Sequence, residues 1–191
     1  MSITQPIRNK HQIRQLAEYY LNRGQIRNYV LLVLGVHTAL RISDLLRLRW
    51  DDVYDFGNQR LRNRITITEK KTGKSKSFVL NKEVVRALTL FSTQGIRKGT
   101  FLIENPRTKK AISRIQAYRI IRAAADALQF QSRVSCHSLR KTFGYHAWKS
   151  GVSAVVIMEI YNHSSLSVTR RYLGVTQDDK DSVYLKLRLI S

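Results

Sequence analysis

The sequence predicts a mainly α protein with a small antiparallel β-sheet. Apolar residues recur at helical spacing through most of the chain, whereas apolar–polar alternation is confined to short stretches around one glycine-containing turn. The chain has 191 residues, 43% of them hydrophobic, so it can bury a substantial core. No linker-like stretch divides it, and we expect one catalytic domain over residues 1–191.

Three helices are predicted near the N-terminus. His11–Leu21 has its apolar residues on one face and runs into a glycine-containing turn, which is typical of an amphipathic helix. Residues 25–37 are apolar on nearly every face, which predicts a buried helix. A further helix is expected to begin at Ile42, with Thr38 or Ser43 as its N-cap.

A β-hairpin is predicted next. Ile65 and Ile67 alternate with polar residues in Arg64–Thr68, and a second strand is expected over Ser77–Leu80. The intervening Lys70–Lys74 contains a glycine, as tight hairpin turns commonly do. These two strands supply the small sheet.

The chain after the hairpin is predicted to be mainly helical. Lys82–Thr93 has one apolar face, and Ser113–Leu128 opens with Ser113 and Gln116 at the spacing of a capping box. Three more helices are expected over Ser138–Ser150, Ala154–Tyr161 and Asp178–Leu189.

The charge balance indicates a polyanionic partner. Lysine and arginine number 34 against 13 acidic residues, a net charge of +21 that is spread through a foldable chain. We expect nucleic acid, with a merely solvated basic surface as the alternative. Six residues near the Ser113 helix are candidates to contact phosphates or enter a major groove, or else form a solvated face: Arg107, Lys109, Lys110, Arg114, Arg119 and Arg122.

Cysteine content and hydropathy fit a cytoplasmic protein. Cys136 is the only cysteine, so no internal disulfide can form, and we expect it to be a small buried packing residue. Residues 1–12 lack the pattern of a secretory signal, and the longest apolar run, residues 29–36, is too short to cross a bilayer. No metal-binding motif is present, and no cofactor is expected.

The last third of the chain concentrates the candidate site residues. His137 and Arg140 form a His-x-x-Arg motif, His163 follows a glycine-led segment, and Tyr172 lies nine positions later. Far upstream, Arg41 ends a Thr-Ala-Leu-Arg segment. Together these motifs resemble the catalytic signature of the tyrosine recombinases, the phage-integrase family, and the resemblance covers nearly the whole chain.

Cleavage of a DNA phosphodiester explains why these residue types occur together. The transferring phosphate gains negative charge, which two arginines can hold bidentately. A tyrosine hydroxyl can attack in line and keep the bond energy in a phosphotyrosine ester, so that resealing needs neither ATP nor a metal. The departing 5′ oxygen needs a proton.

The resemblance implies a role for each of these residues. Arg41 and Arg140 match the phosphate-clamping arginines, and Tyr172 matches the nucleophile. His137 matches a proton acceptor or donor beside the nucleophile. His163 matches a position that donates a hydrogen bond to the phosphate.

Two further residues are implied by the same resemblance. Lys71 in the hairpin turn matches a mobile lysine that serves as the general acid for the 5′ oxygen. Lys70, Lys74 and Lys76 compete with it, and a solvated hairpin is the default for all of them. Asp44 matches an acidic residue that supports the site.

The chain departs from the family pattern in three ways, one of which is that Gly174 lies two residues after Tyr172, where the family often has another histidine or tyrosine. Tyr161-Asn162 stands where the family usually has Leu-Gly, and Tyr161 lies too close to His163 to be the nucleophile. The N-terminal core-binding domain that clamps the far side of the DNA is expected to be absent, since the catalytic pattern begins almost at once. In this the chain resembles the short recombinases that invert fimbrial promoter switches.

The C-terminal segment 176–191 is a candidate subunit contact. Val183, Leu187 and Ile190 recur at i, i+4 and i+7, which predicts an apolar stripe that needs a partner. Family members exchange segments near the nucleophile between protomers, so we expect docking on a neighbouring subunit, with docking on its own domain as the alternative.

The sequence therefore predicts a cytoplasmic site-specific DNA recombinase or integrase from a mobile element or phase switch. It is expected to cleave and rejoin double-stranded DNA through a 3′-phosphotyrosine, as a homo-oligomer (a dimer or tetramer), with an accessory DNA-bending protein and no membrane partner. One alternative is a topoisomerase IB-like relaxing enzyme that acts as a monomer. Another is a catalytically idle DNA-binding regulator, against which the intact catalytic set argues.

Overall fold

The structure, a computed structural model, describes residues 4–188 and residue 190, and its architecture is the predicted mainly α class. The N-terminal half contains helices α1 (Lys10–Leu21), α2 (Ile26–His37), α3 (Ile42–Leu45), α4 (Trp50–Val53) and α5 (Lys82–Ser92). The C-terminal half contains α6 (Arg114–Ala127), α7 (Cys136–Lys149), α8 (Ala154–Tyr161), α9 (Leu166–Leu173) and α10 (Gln177–Lys186). Two antiparallel hairpins pair β1 (Tyr54–Asp55) with β2 (Arg60–Leu61) and β3 (Arg64–Thr68) with β4 (Ser75–Val79). In this described part of the chain no helix has the length and apolarity to cross a membrane.

Helix α2 lies at the centre of the main core, as its apolar sequence predicts. Val30, Leu31 and Leu34 are fully buried, and the helix packs against α1, α5 and α7. The α7 contact is close because Gly35 has no side chain: a β-carbon there would lie 2.5 Å from Leu139 Cδ1. Since α7 carries the His-x-x-Arg motif, this contact fixes the motif relative to the core.

The β3–β4 hairpin confirms the predicted pair of strands. Its register joins Arg64 to Val79 and Thr68 to Ser75, so β4 begins slightly earlier than predicted. Gly73 in the turn has φ +66°, a left-handed conformation that favours glycine. The β1–β2 hairpin was not predicted, because strands of two residues are too short to show alternation.

The predicted N-caps of α3 are wrong. Neither Thr38 nor Ser43 caps this helix; the N-cap is Arg41, without a side-chain hydrogen bond. Thr38 instead ends α2, where its hydroxyl donates to the Leu34 carbonyl at 2.7 Å. The hydroxyl is therefore already engaged by the preceding helix.

Two helices near the C-terminus differ from the prediction. Helix α9 was not predicted, because its eight residues have no long apolar pattern; Ser165 caps its start and Gly174, with φ +63°, follows its end. Helix α10, predicted over Asp178–Leu189, ends at Lys186. Leu189 lies outside the described residues.

A smaller apolar cluster joins α8 and α9 to the loop after α2. Its fully or nearly fully buried members are Ala39, Ile157, Tyr161 and Leu173, and Tyr172 packs against them. This second cluster holds the helix of the proposed nucleophile.

Candidate active site

Most of the predicted catalytic side chains line one cleft of about 1090 Å³. Its walls come from the start of α3, the β3–β4 turn, the start of α6, the start of α7 and the end of α9. Cys136 packs against the main core as predicted, but it is half-buried and not fully buried, and it lines the cleft. The predicted site residues that line the cleft are Arg41, Lys71, Arg114, His137, Arg140 and Tyr172.

Arg140 is a deeply buried charge in this site, with 2% of its surface exposed. Its Nη1 donates to the Ala39 carbonyl, and its Nη2 donates to the Tyr161 carbonyl at 3.0 Å. Among the described residues its Nε meets no hydrogen-bond partner. Because carbonyls satisfy a guanidinium without neutralising it, Arg140 keeps a positive charge that can attract an anion.

Arg41 is paired with a buried carboxylate. Its Nη1 lies 2.7 Å from Glu69 Oε2, and the Glu69 side chain is fully buried. Burial raises the pKa of Glu69, but its interactions with Thr72 and Arg41 outweigh that effect and lower the pKa overall. The Thr72 hydroxyl donates to the same oxygen at 2.8 Å, so Glu69 links Arg41 to the β3–β4 turn.

Asp44 makes a second link between α3 and the turn. Its carboxylate is buried, and Oδ1 accepts from the Lys70 backbone N–H at 2.9 Å. Lys71, the next residue, is exposed at the rim of the cleft. Asp44 thus fixes the base of the segment from which Lys71 extends.

Tyr172 lies among three other rings. The centroids of His137, His163 and Tyr161 lie 4.9, 4.6 and 5.2 Å from its own. His137 and Arg140 are three residues apart in α7, so they share one helix face. The arrangement brings the proposed nucleophile, both histidines and one arginine together.

His163 is positioned by a left-handed turn at the end of α8. Asn162 has φ +51°, which asparagine tolerates better than most side chains, and it replaces the glycine of the family pattern. The His163 backbone N–H then bonds to the Met158 carbonyl at 3.1 Å. Its Nδ1 lies 3.0 Å from the Thr169 hydroxyl, which fixes the ring.

Both imidazoles are held neutral near pH 7. Burial and then the charges of Arg140 and Arg41 lower the pKa of His163 to about 4. His137 is exposed to the cleft, but desolvation by the cleft walls and the charges of Lys141, Arg140 and Arg41 lower its pKa to about 4. Across residues 4–188 and 190, no three His, Cys, Asp or Glu side chains cluster in a way that could hold a metal ion.

Lys76 is buried, so its predicted place on a solvated hairpin is wrong. It is 7% exposed, and its Nζ donates to the Ala39 carbonyl at 3.2 Å, the same oxygen that Arg140 contacts. Burial, followed by repulsion from Arg140, lowers its pKa to about 7. Lys70, Lys71 and Lys74 are exposed, as expected.

Strand periodicity could have predicted the buried charged residues that the sequence analysis missed. In β3 the inward positions are Ile65 and Ile67, and Glu69 continues that alternation. In β4 Lys76 shares a face with Phe78. Extending period-two alternation to charged residues therefore identifies Glu69 and Lys76 as buried.

The predicted DNA-binding residues do not form one patch. Arg114 lines the main cleft, whereas Arg107 and Arg119 line a separate cavity of about 420 Å³ together with Arg27. These two cavities lie on different faces of α6.

The other members of that set are on the surface. Lys109 Nζ lies 3.9 Å from Glu104 Oε1, and Arg122 pairs with Asp126 one helical turn later. Lys110 is exposed. Exposed pairs of this kind exchange partners at little cost, so they remain available to phosphates.

An extended N-terminal segment connects α7 with the end of α9, and the sequence analysis did not predict this connection. The Ile7 backbone N–H donates to the Thr142 hydroxyl of α7 at 2.9 Å. Arg8 Nη2 donates to the carbonyl of Gly174, just after α9, at 3.3 Å. The segment thus ties the helix of Arg140 to that of Tyr172.

Comparison with protein families and curated proteins gives consistent matches. Residues 8–178 match the phage integrase family. The chain is 37% identical over 184 residues to the probable integrase/recombinase YoeC of Bacillus subtilis (strain 168), covering 96% of this chain and 97% of YoeC. It is 29% identical over 160 residues to the tyrosine recombinase XerD of Mycobacterium leprae (strain TN), covering 79% of this chain and 49% of XerD. The chain therefore spans about half the length of that XerD protein.

Solved structures share the fold. The XerA recombinase crystal structure matches with a TM-score of 0.79 and 21% identity, covering 98% of this chain and 67% of XerA. The XerH site-specific recombinase, bound to its palindromic difH substrate after cleavage, matches with a TM-score of 0.75 and 17% identity, covering 93% of this chain and 51% of XerH. At these identities the likeness concerns the fold.

The depressed pKa of Lys76 predicts a pH-dependent stability. The folded-state pKa is about 7, whereas an unfolded lysine titrates near 10.4, so above pH 7 the unfolded chain binds more protons. The free energy of unfolding should therefore rise between pH 7 and 9, by about 2 kcal/mol, and Lys76→Met should remove that rise. Urea denaturation at several pH values measures it. Lys74→Met, at an exposed lysine of the same hairpin, is the control, and an unchanged pH slope in Lys76→Met would contradict the assignment.

Proposed function

The chain belongs to the phage integrase family of tyrosine recombinases, and on this premise we propose that it cleaves and reseals double-stranded DNA through a covalent bond to Tyr172. The observation that carries the proposal is the convergence of Arg41, Arg140, His137 and Tyr172 on one cleft, with Lys71 at its rim. These are the groups that a phosphoryl transfer to tyrosine needs, gathered from segments far apart in the chain.

Arg140 and Arg41 bind the scissile phosphate. Arg140 is buried and carries an unpartnered Nε among the described groups, and Arg41 is anchored by Glu69. Held guanidinium groups stabilise the charge that develops on the non-bridging oxygens, and they need no reorganisation during the reaction. The anchoring contacts therefore support catalysis as well as binding.

His137 and Lys71 move the protons. The Tyr172 oxygen forms a bond to phosphorus as the bond from phosphorus to the 5′ oxygen breaks. Neutral His137, whose ring lies beside that of Tyr172, accepts the phenolic proton, and Lys71 donates a proton to the departing oxygen. Attack by the 5′ hydroxyl of a second strand reverses these steps and frees Tyr172.

His163 steadies the phosphate through a hydrogen bond. The single Thr169 hydroxyl proton has two acceptors within reach, His163 Nδ1 at 3.0 Å and the Ser165 carbonyl at 3.4 Å. When it is donated to the nearer Nδ1, the ring proton resides on Nε2. That tautomer can donate to a phosphate oxygen without adding charge. Thr169 is fully buried, which keeps the ring in place.

DNA binding rests on the large positive charge. XerH was solved with its difH substrate, and its fold is shared by this chain. The six basic residues on and around α6, described above, supply phosphate contacts that are not sequence-specific. Because the proposed substrate is DNA, we infer that the protein is located in the cytoplasm.

The C-terminal segment supports a homo-oligomer on DNA. Val183 and Leu187 are 60% and 61% exposed on the single chain, and this exposure favours docking on a neighbouring subunit over docking on its own domain. A neighbouring subunit that covers it would bring two cleavage sites together, and a bent DNA held by an accessory protein would help that pairing.

The two alternative functions have less support. A relaxing enzyme of the topoisomerase IB type acts as a monomer and gives no role to the exposed apolar residues of the C-terminal segment. An idle regulator does not require a buried Arg140 and a partly buried Arg41 beside a tyrosine and two histidines. The family relatives are named as integrases and recombinases.

Replacement of the nucleophile tests the proposed chemistry. Tyr172→Phe should bind DNA with unchanged affinity and form no covalent adduct with nicked duplexes spanning the junctions between the element and host DNA. Denaturing gel electrophoresis detects the adduct, and fluorescence anisotropy measures binding. An undiminished adduct in Tyr172→Phe would overturn the proposal.

The general acid can be identified with a sulfur-substituted substrate. Lys71→Ala should cleave ordinary DNA at least about 100-fold more slowly, because an alkoxide leaves poorly without a proton. A thiolate leaves readily, so most of the rate should return when the bridging 5′ oxygen is replaced by sulfur. Lys70→Ala, Lys74→Ala and Lys76→Met are matched controls. Rescue of one of these variants, and not of Lys71→Ala, would move the role to that lysine.

Surface substitutions in α10 and at Leu187, the residue that follows it, test subunit docking. Val183→Ser with Leu187→Ser should leave thermal stability and cleavage by single subunits unchanged, because both side chains are exposed. Pairing of two DNA sites should fall at least tenfold in a gel-shift assay. Lys180→Ser, at an exposed polar position of the same helix, is the control. Full pairing by the double variant argues against docking through this stripe.

A further inference from the structure

Tyr161 is a fully buried tyrosine that touches several proposed catalytic groups. Its hydroxyl donates to the Arg140 carbonyl at 2.6 Å, and the Arg140 guanidinium donates back to the Tyr161 carbonyl at 3.0 Å. The guanidinium carbon also lies 4.4 Å from the centroid of the Tyr161 ring. Residue 161 therefore holds both the backbone and the side chain of Arg140.

The Tyr161 hydroxyl is tightly packed against Gly144, which restricts its position. A β-carbon at Gly144 of α7 would lie 2.5 Å from that oxygen. A glycine inside a helix is unfavourable, so its presence one turn after Arg140 needs a reason. Room for the hydroxyl supplies that reason, and it couples Gly144, Arg140 and Tyr161.

Tyr161 cannot act on DNA directly. None of its surface is exposed, and burial raises the pKa of its hydroxyl well above the ordinary value. It is therefore not a nucleophile, and any effect on the reaction passes through its neighbours. Its ring lies 4.9 Å from that of His163 and 5.2 Å from that of Tyr172.

We propose that Tyr161 is a positioning residue that sets the Arg140 guanidinium for the scissile phosphate. The inference rests on the proposed function of Arg140. The Tyr161 carbonyl holds Nη2, the Ala39 carbonyl holds Nη1, and the ring covers one face of the guanidinium. The Tyr161 hydroxyl fixes the distance between α7 and the end of α8. This keeps the Arg140 Nε directed at the position of the scissile phosphate.

The test compares a charged and a neutral scissile group. A methylphosphonate replaces one non-bridging oxygen by a methyl group and removes the charge that an arginine balances. Tyr161→Phe keeps the ring and loses only the hydroxyl. We expect its single-turnover cleavage to fall at least fivefold on phosphate DNA and less than twofold on methylphosphonate DNA, with unchanged DNA affinity.

Two further variants calibrate this comparison. Arg140→Ala should lose far more activity on phosphate than on methylphosphonate; if it shows no such difference, the proposed role of Arg140 fails rather than that of Tyr161. Tyr145→Phe removes another hydroxyl from α7 and should leave both rates unchanged.

Loss of folding is separated from loss of positioning. Circular dichroism melts and titration of active sites give the folded fraction of each variant. Gly144→Ala, whose methyl group displaces the Tyr161 hydroxyl, should reproduce the phosphate-specific defect. Equal defects on both substrates in Tyr161→Phe and Gly144→Ala, or no defect on either, would overturn the proposal.

Discussion

The buried guanidinium of Arg140 is the constraint on which the site depends. Removing an arginine from water is costly, and here two backbone carbonyls, from Ala39 and Tyr161, offset part of that cost by accepting from its two terminal nitrogens, while Nε has no partner among the described residues. No carboxylate pairs with it among the described residues, because Glu69 pairs with Arg41. The positive charge is held in place and left available, which suits a phosphate that gains charge during transfer.

That constraint explains the backbone around it. The Ala39 carbonyl accepts from Arg140 and Lys76, and Ala39 has φ +54°, an unusual conformation for alanine. The same loop leads into Arg41, so the strained residue brings two arginines that are far apart in sequence to one cleft. Backbone strain at such a point is tolerated because the surrounding hydrogen bonds determine it.

The sequence predicts the proposed catalytic residues better than it predicts the residues that hold them in position. Helix and strand periodicity locates the helices near the N-terminus, the β3–β4 hairpin and α6, and the resemblance to the tyrosine recombinase signature groups Arg41, His137, Arg140 and Tyr172 as a set. Short elements such as α9 and the β1–β2 hairpin are not predicted, because they have too few residues to show a periodic pattern. The burial of Lys76 depends on which side of a strand faces the core. In the sequence, Tyr161 is only a difference from the family pattern, and its role becomes visible from its contacts with Arg140 and Gly144. Sequence motifs thus predict the proposed reacting groups, whereas the residues that position these groups can be identified only from the tertiary structure.

The central claim is that a DNA strand becomes bonded to Tyr172, and peptide mapping tests it most directly. Protein trapped on a nicked duplex would be digested with nuclease and protease, and the modified peptide sequenced by mass spectrometry. The account predicts a nucleotide joined through its 3′ phosphate to Tyr172. A nucleotide on Tyr161, or on any side chain other than Tyr172, would contradict it.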